Sequence, residues 1–206
     1  MFSAILIWLS SAIISVISAA GYWGIVFLMA LESACVPVPS EVIMPFSGFL
    51  VWEGKFILWL VVFWGAVGNL FGSIAAYAVG FYGGRPLIGK YGKYFLISAG
   101  DLETADRWFK KYGQGAVFFS RLLPVIRTFI SLPAGIARMD FKKFCFYTFL
   151  GSLPWSFALA YAGLVLGSNW ESLKIYFHRF DFLAVIFIIL AIVWWLARHF
   201  LPGRRP

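Results

Sequence analysis

Four ionisable side chains stand where the sequence can least easily carry them. Glu32 and Glu41 lie in GYWGIVFLMALESACVPVPSEVIMPFSGFL, residues 21–50, and Arg121 and Arg127 lie in YGQGAVFFSRLLPVIRTFISLPAGIARM, residues 112–139. Both stretches are otherwise largely apolar. A charge in a bilayer interior costs about 2.5–3.5 kcal/mol on insertion scales, so two acids and two bases imply mutual pairing or an aqueous cavity. A guanidinium is a planar fork that fits phosphate, and a carboxyl in a poorly solvated cavity is a usable proton carrier. On that reading the arginines receive an anionic headgroup and the acids carry a coupling proton. The competing reading is mechanical, with the four charges as salt-bridge staples. Buried pairs are often neutral for stability, which makes them odd glue in duplicate.

The elements that position these charges are broken. Residues 21–50 contain Pro37, Pro39 and Pro45, and residues 112–139 contain Pro124 and Pro133. Proline removes a backbone donor and clashes with the preceding turn, so neither segment can be one unbroken spanning helix. Broken backbone survives in lipid only where protein covers it or it faces a wet cavity. Each segment therefore reads as a re-entrant helical hairpin, with its break at Pro37-Val38-Pro39 or at Pro124, the two entered from opposite sides.

The segments also resemble each other. At an offset of about 90 residues Tyr22 falls on Tyr112, Gly24 near Gly115 and Glu32 beside Arg121. Glu41 falls near Arg127, and Pro45 with Gly48 near Pro133 with Gly135. Further on, Lys55-Phe56 matches Lys143-Phe144, and Ala76-Tyr77-Ala78 matches Ala160-Tyr161-Ala162, each with a glycine close behind. One full crossing separates the copies, so they are inverted. Inverted repeats with broken helices near the midplane are a transporter pattern.

Composition fixes the surroundings. The chain is 62% hydrophobic and 13% charged, with a mean hydropathy of +0.86; soluble proteins carry roughly 25% charged residues. Residues 1–31, 56–84, 144–170 and 182–197 hold no charge, and a spanning helix needs about 20 apolar residues. The first stretch is expected to break near Gly21; with no basic residue before it, it reads as a span rather than a cleaved leader. The expected fold is an all-α polytopic membrane protein. Two opposed re-entrant hairpins, at 21–50 and 112–138, pack among about four transmembrane helices that include 56–82, 144–167 and 182–200. A cytoplasmic amphipathic helix is expected at 98–111, where Ser98 and Asp101 fit a capping box and Leu102, Ala105, Phe109 and Tyr112 recur at helical spacing.

Basic residues set the orientation. Arg85, Lys90, Lys93, Arg107, Lys110, Lys111, Arg138, Lys142 and Lys143 cluster between the second and third spans, and Arg198, Arg204 and Arg205 close the tail. Residues 168–181 are balanced. By the positive-inside rule both termini are cytoplasmic and 168–181 is outside. The net charge of +8 is then a topology signal and an attraction to anionic headgroups. No nucleic-acid partner is expected, since these charges are tied to span ends.

Enzyme chemistry finds little support. His178 and His199 sit at span ends, no HExxH or GxSxG motif occurs, and Cys35 and Cys145 form no CxxC pair. No metal and no cofactor is expected. Asn69, Tyr77 and Trp155 are candidate lining of a lipid path, with interhelical bonding or packing as the plainer alternative for each. Arg138 is placed at the cytoplasmic mouth of the second hairpin, within reach of lipid phosphate. The implied partners are a membrane lipid with an anionic headgroup and protons, with a second copy of the chain allowed.

At these residues the chain resembles the DedA family of bacterial membrane proteins, whose shared region is also called the VTT or SNARE-associated domain. The resemblance covers about residues 20–170. It rests on Glu32 in LES, Glu41 in PVPSE, Arg121 and Arg127 in SRLLPVIRT, the LPAG turn at 132–135, and GSLPW at 151–155. The second acid in that family is often aspartate in a PGD turn; Glu41 in PSE places this chain in a different subgroup. The resemblance implies opposed re-entrant hairpins in a plasma membrane. It also implies lipid translocation, of undecaprenyl phosphate or of phospholipids, driven in some members by the proton gradient. Eukaryotic relatives resemble phospholipid scramblases. A passive scramblase and a proton-coupled ion or drug antiporter are the alternatives.

Overall fold

The computed structural model describes residues 2–36, 38–95, 115–123 and 126–167. The expected helix at 98–111, the expected span at 182–200, the loop at 168–181, both histidines, and Pro37 and Pro124 lie outside the described residues. Eight helices form the described part, and no strand occurs in it.

Helix α1 (Phe2–Ala20) ends where Gly21 turns the chain at φ 61°, the break expected there. Helix α2 (Tyr22–Ser33) stops just before the proline-rich turn. There the Cys35 N–H donates to the Glu32 carbonyl at 3.0 Å and the Val36 N–H to the Leu31 carbonyl at 3.1 Å. This double closure of a helix C-terminus normally uses glycine, yet Cys35 holds φ 66°. Helix α3 (Ser40–Trp52) starts after Pro39 and ends in the same closure at Gly54, φ 76°.

Helix α4 (Leu58–Phe95) carries a 26-residue apolar stretch, Leu58–Gly83. Three short helices follow: α5 (Gly115–Arg121), α6 (Ile126–Phe129) and α7 (Ser131–Ile136). The third ends in the double closure once more, with Arg138 at φ 51° and the Met139 N–H donating to the Ala134 carbonyl at 3.1 Å. Asp140 then starts α8 (Phe141–Val165), its carboxylate accepting the Lys143 N–H at 2.9 Å. At 1.5 Å per residue, the apolar parts of α4 and α8 run about 37–39 Å, enough to cross a bilayer. At about 18–20 Å, α2 and α3 are each too short to do so alone.

Glycines set the closest packing. A Cβ at Gly48 of α3 would sit 1.9 Å from the Ala160 carbonyl oxygen of α8, and one at Gly163 of α8 would sit 2.0 Å from that of Pro45. The same reciprocal contact joins α4 to α7: Gly80 meets the Leu132 carbonyl at 2.3 Å and Gly135 meets that of Tyr77 at 2.2 Å. Backbones approach this closely only where side chains are absent, a habit of membrane helices. Helix α2 lies along α4, and α5 along α8.

Polarity runs from inside outward in the sense opposite to a water-soluble fold. Glu32, Ser40, Asn69, Arg121, Arg127, Ser131 and Thr148 are buried, while Trp23, Trp59 and Phe119 are 67–70% exposed. Exposed aromatic surface on that scale needs an apolar cover. Together with two helices long enough to cross, it makes this a helical membrane protein.

Candidate functional site

The centre of the described fold is the point where the α2 C-terminus, the α3 N-terminus and α6 meet. Glu32 ends α2, Ser40 opens α3 and Arg127 sits on α6. The Arg127 guanidinium donates through Nη2 to both Glu32 Oε1 and Ser40 Oγ, closing an ion pair 95 residues apart in sequence. The Ser40 hydroxyl and backbone N–H also lie against the Glu32 carboxylate. Below the guanidinium plane lies the Trp155 ring of α8, its centroid 4.9 Å from Arg127 Cζ, within cation–π range.

Arg121 lives differently. Its side chain is fully enclosed, 1% exposed. Nη1 donates to the Arg127 backbone carbonyl at 2.6 Å and to Asn69 Oδ1 at 3.3 Å; Nη2 donates to Ser131 Oγ at 2.7 Å and to Thr148 Oγ1 at 3.4 Å. One guanidinium thus ties α5, α6, α7, α4 and α8 together. Gly151 makes the room: a Cβ there would lie 2.9 Å from Arg121 Cβ and 3.0 Å from the Phe118 carbonyl oxygen.

Several buried polar atoms keep hydrogen-bonding capacity unused among the described residues. They are Glu32 Oε2, Arg121 Nε, Arg127 Nε, Trp155 Nε1 and Ser156 Oγ. An unpartnered buried polar group costs roughly 1–3 kcal/mol. Three of the five, Glu32 Oε2, Arg127 Nε and Trp155 Nε1, border the same guanidinium. An arrangement with open donors around a buried cation can take an anion.

The sequence-selected residues therefore divide. Glu32, Arg121, Arg127, Asn69 and Trp155 come together. Glu41, in the first turn of α3, is half-buried, near enough to Glu32 to act on it through charge, and forms no ion pair among the described residues. Tyr77 and Arg138 belong to a neighbouring corner. The Tyr77 hydroxyl donates to the Met139 carbonyl, its ring packs on Phe144, and the Arg138 guanidinium lies 5.6 Å from the centre of the Phe81 ring.

The sequence reasoning did not single out Ser40, Ser131, Thr148 or Gly151 as site residues. Ser40 was legible as the hydroxyl beside Glu41 in PVPSE. Ser131 opens the LPAG turn, and Thr148 carried no signal beyond being a hydroxyl in an apolar helix. Cys35 was likewise passed over, though its thiol donates to the Thr128 carbonyl at 3.8 Å across the two broken segments.

The VTT domain matches residues 38–165, from the proline turn through the end of α8. The chain belongs to the VTT-domain family. This VTT-domain protein is 40% identical over 174 residues to undecaprenyl phosphate transporter A of Bacillus subtilis, covering 84% of this chain and 82% of that protein. It is 30% identical over 193 residues to the transporter of the same name from Staphylococcus aureus, covering 92% and 94%. An alkaline phosphatase-like protein of Lactococcus lactis is 32% identical over 202 residues, 94% of each chain. No solved structure matches this VTT-domain protein.

Proposed function

We propose that this chain moves an anionic lipid across a bacterial plasma membrane, with undecaprenyl phosphate as the substrate best supported, and that a proton gradient drives the movement. One observation carries the reading. Arg127 is 2% exposed and ion-paired, yet it and its neighbours keep unused donors at the meeting point of two broken segments. Relatives at 40% and 30% identity bear the name undecaprenyl phosphate transporter A. Arg127 and Trp155 receive the headgroup, Arg121 and Asn69 hold the seat in shape, Tyr77 lines the lipid path, and Arg138 meets the lipid at the cytoplasmic mouth. Glu32 and Glu41 handle the proton.

The fold beneath this reading is an inverted repeat of two re-entrant hairpins, 21–50 and 112–138, each followed by a span, 56–82 or 144–167. The amphipathic helix at 98–111 and the span at 182–200 complete it. Its support is the paired geometry of the two halves. The outgoing limb of each half, α3 or α7, ends in a double C-terminal closure, at Gly54 or Arg138. Each limb meets the long helix of the other half through a reciprocal glycine contact. Both termini are cytoplasmic on this reading. Impermeant labelling of single cysteines, in a background lacking Cys35 and Cys145, checks that: external reaction at position 93 with protection at position 172 would overturn it.

The functional test is a lipid-sidedness assay in reconstituted vesicles, with and without a pH gradient. Gradient-stimulated movement of polyprenyl phosphate is expected. Movement indifferent to the gradient makes the protein a passive scramblase. Movement of cations or drugs but not lipid makes it an antiporter. Because some relatives are named alkaline phosphatase-like, release of inorganic phosphate is measured alongside, and none is expected.

A further inference from the structure

Arg127 is surrounded by atoms of two hydrogen-bonding characters, and their inventory describes a ligand. Two unpartnered atoms are donors with no acceptor capacity, Arg127 Nε and Trp155 Nε1. The third, Glu32 Oε2, belongs to the carboxylate paired with Arg127 and in that ionised state accepts only. All three flank one guanidinium: Nε is part of it, the Glu32 carboxylate touches its Nη2, and the Trp155 ring lies 4.9 Å below Cζ. Glu32 and Arg127 are 8% and 2% exposed, so bulk water does not answer these groups freely.

A phosphate diester offers oxygens that accept and nothing that donates. It satisfies Arg127 Nε and Trp155 Nε1 but sets bare oxygens against Glu32 Oε2, where acceptor faces acceptor. A phosphate monoester differs by a single atom. Its second ionisation lies near pH 6, so about a tenth still bears one P–OH at neutrality, and a site that accepts from that hydroxyl binds this form selectively. That hydroxyl is the donor Glu32 Oε2 lacks, while the other phosphate oxygens accept from Arg127 and Trp155.

We infer that the atoms around Arg127 form a seat for a phosphate that keeps one proton, with Glu32 Oε2 as the specificity determinant that accepts the P–OH and turns away diesters. This rests on the anionic-headgroup reading above and deepens it by naming the residue that separates a terminal phosphate monoester from diester lipids. Trp155 acts as a second open donor as well as a platform: its ring lies against the guanidinium and its buried N–H has no partner among the described residues.

The test uses the full-length protein in nanodiscs and two probes with one tail, farnesyl phosphate and its methyl diester. At about pH 5, a unit below the second ionisation, both carry a charge close to −1, so a difference in binding reports the P–OH rather than charge. A site that bonds a substrate hydroxyl rejects the analogue lacking it strongly, because its own polar group is left unpaired. The wild-type protein is expected to bind the monoester about tenfold tighter or more, and to lose most of that preference by about pH 8, where the monoester has shed its proton. Glu32→Gln replaces an acceptor-only oxygen with a group that can also donate, so the two affinities should converge. Trp155→Phe keeps the ring and removes the N–H; both probes should weaken together while their ratio stays. Competition by inorganic phosphate as strong as the monoester would support the same chemistry and identify free phosphate as its source. Equal binding of the two esters by the wild-type protein overturns the inference and leaves the anionic-lipid reading standing, as does diester movement in the vesicle assay. If neither ester binds, the anion-site reading falls and this inference with it.

Discussion

Arg121 and Arg127 lie six residues apart in one segment and have opposite surroundings. Four acceptors from four residues fill the terminal nitrogens of Arg121, and three of the four are uncharged side chains. Arg127 has one carboxylate, one hydroxyl and an aromatic platform, and Nε is left over on both arginines. Neutral acceptors cannot cancel a cation; they can only orient it. The field of Arg121 is therefore spread into the site, while its hydrogen bonds fix the shape of α5, α6 and α7 around Arg127. Arg121 has both terminal nitrogens bonded to neutral acceptors, and the two bonds of Arg127 both leave from Nη2. Enclosure of the first keeps the second available.

The largest expected effects separate the two. Arg121→Ala leaves Asn69, Ser131, Thr148 and the Arg127 carbonyl without their shared donor, and each buried acceptor left unpaired costs about 1–3 kcal/mol. Little folded protein should be recovered, which thermal unfolding in detergent measures. Arg127→Ala should yield folded, inserted protein whose transport falls about a hundredfold or more, the loss of two charge-assisted bonds. Arg127→Lys should not restore it, because an ammonium does not reproduce the planar fork. Were Arg127→Ala to lose folded protein in proportion to activity, and a Glu32→Ala, Arg127→Ala pair to recover transport, the ion pair would be a staple and the contrast would vanish.

A smaller substitution probes the cage without touching its charge. Gly151→Ala puts a methyl group 2.9 Å from Arg121 Cβ, closer than carbon atoms pack. Overpacking of this kind costs about 1–3 kcal/mol. A lowered Tm with partly retained transport is expected. Unchanged stability would mean that Arg121 can shift, and so is not the rigid element of the pair.

Much of this division could be read in the sequence, and some could not. Proline spacing located the break between α2 and α3, because a missing N–H and a steric clash act locally. Charge in an apolar context picked out Glu32, Arg121 and Arg127, because desolvation is costly wherever the chain goes. Which arginine pairs with Glu32 depends on how α6 docks against α2, and no local pattern encodes that. The offset alignment relates Glu32 to Arg121 as equivalent positions of two segments and does not say which charges meet; in the folded chain Glu32 pairs with Arg127. Thr148 and Ser131 escaped notice for a related reason: a hydroxyl in an apolar helix usually bonds its own backbone, as Ser152 does to the Thr148 carbonyl at 2.7 Å. Gly151 looked like any packing glycine until Arg121 was seen against it.

Glu41 is the acid left over once Glu32 is bound to Arg127. It is half-buried with no ion pair among the described residues. Glu41→Gln imitates a permanently protonated side chain and should make transport indifferent to the pH gradient while leaving lipid binding within about twofold. A vesicle assay run at equal pH and across one unit of ΔpH reads the difference directly. Retained stimulation by the gradient would move the proton to Glu32, inside the Arg127 seat itself.

The smallest expected effect concerns Arg138, the arginine outside both environments. It is exposed, and it holds φ 51° where the α7 closure normally takes glycine. A side chain in the left-handed region costs about 1–2 kcal/mol, part of which Arg138→Gly should return. Lost contact with the Phe81 ring, 5.6 Å away, removes about 0.5–1 kcal/mol in the other direction at an exposed site. The net change in stability should therefore be slight, and stabilising if anything. Transport tells the two roles apart. If the guanidinium meets lipid phosphate at the mouth, Arg138→Gly should slow transport several-fold in a protein at least as stable as the original. Arg138→Lys, with its charge kept and its backbone still strained, should recover most of the rate, because a mouth that only gathers anions needs charge rather than a fork. Equal transport by Arg138→Gly and the wild-type chain would show that Arg138 is tolerated at this turn without serving the lipid, and would leave Arg127 as the arginine on which the headgroup depends.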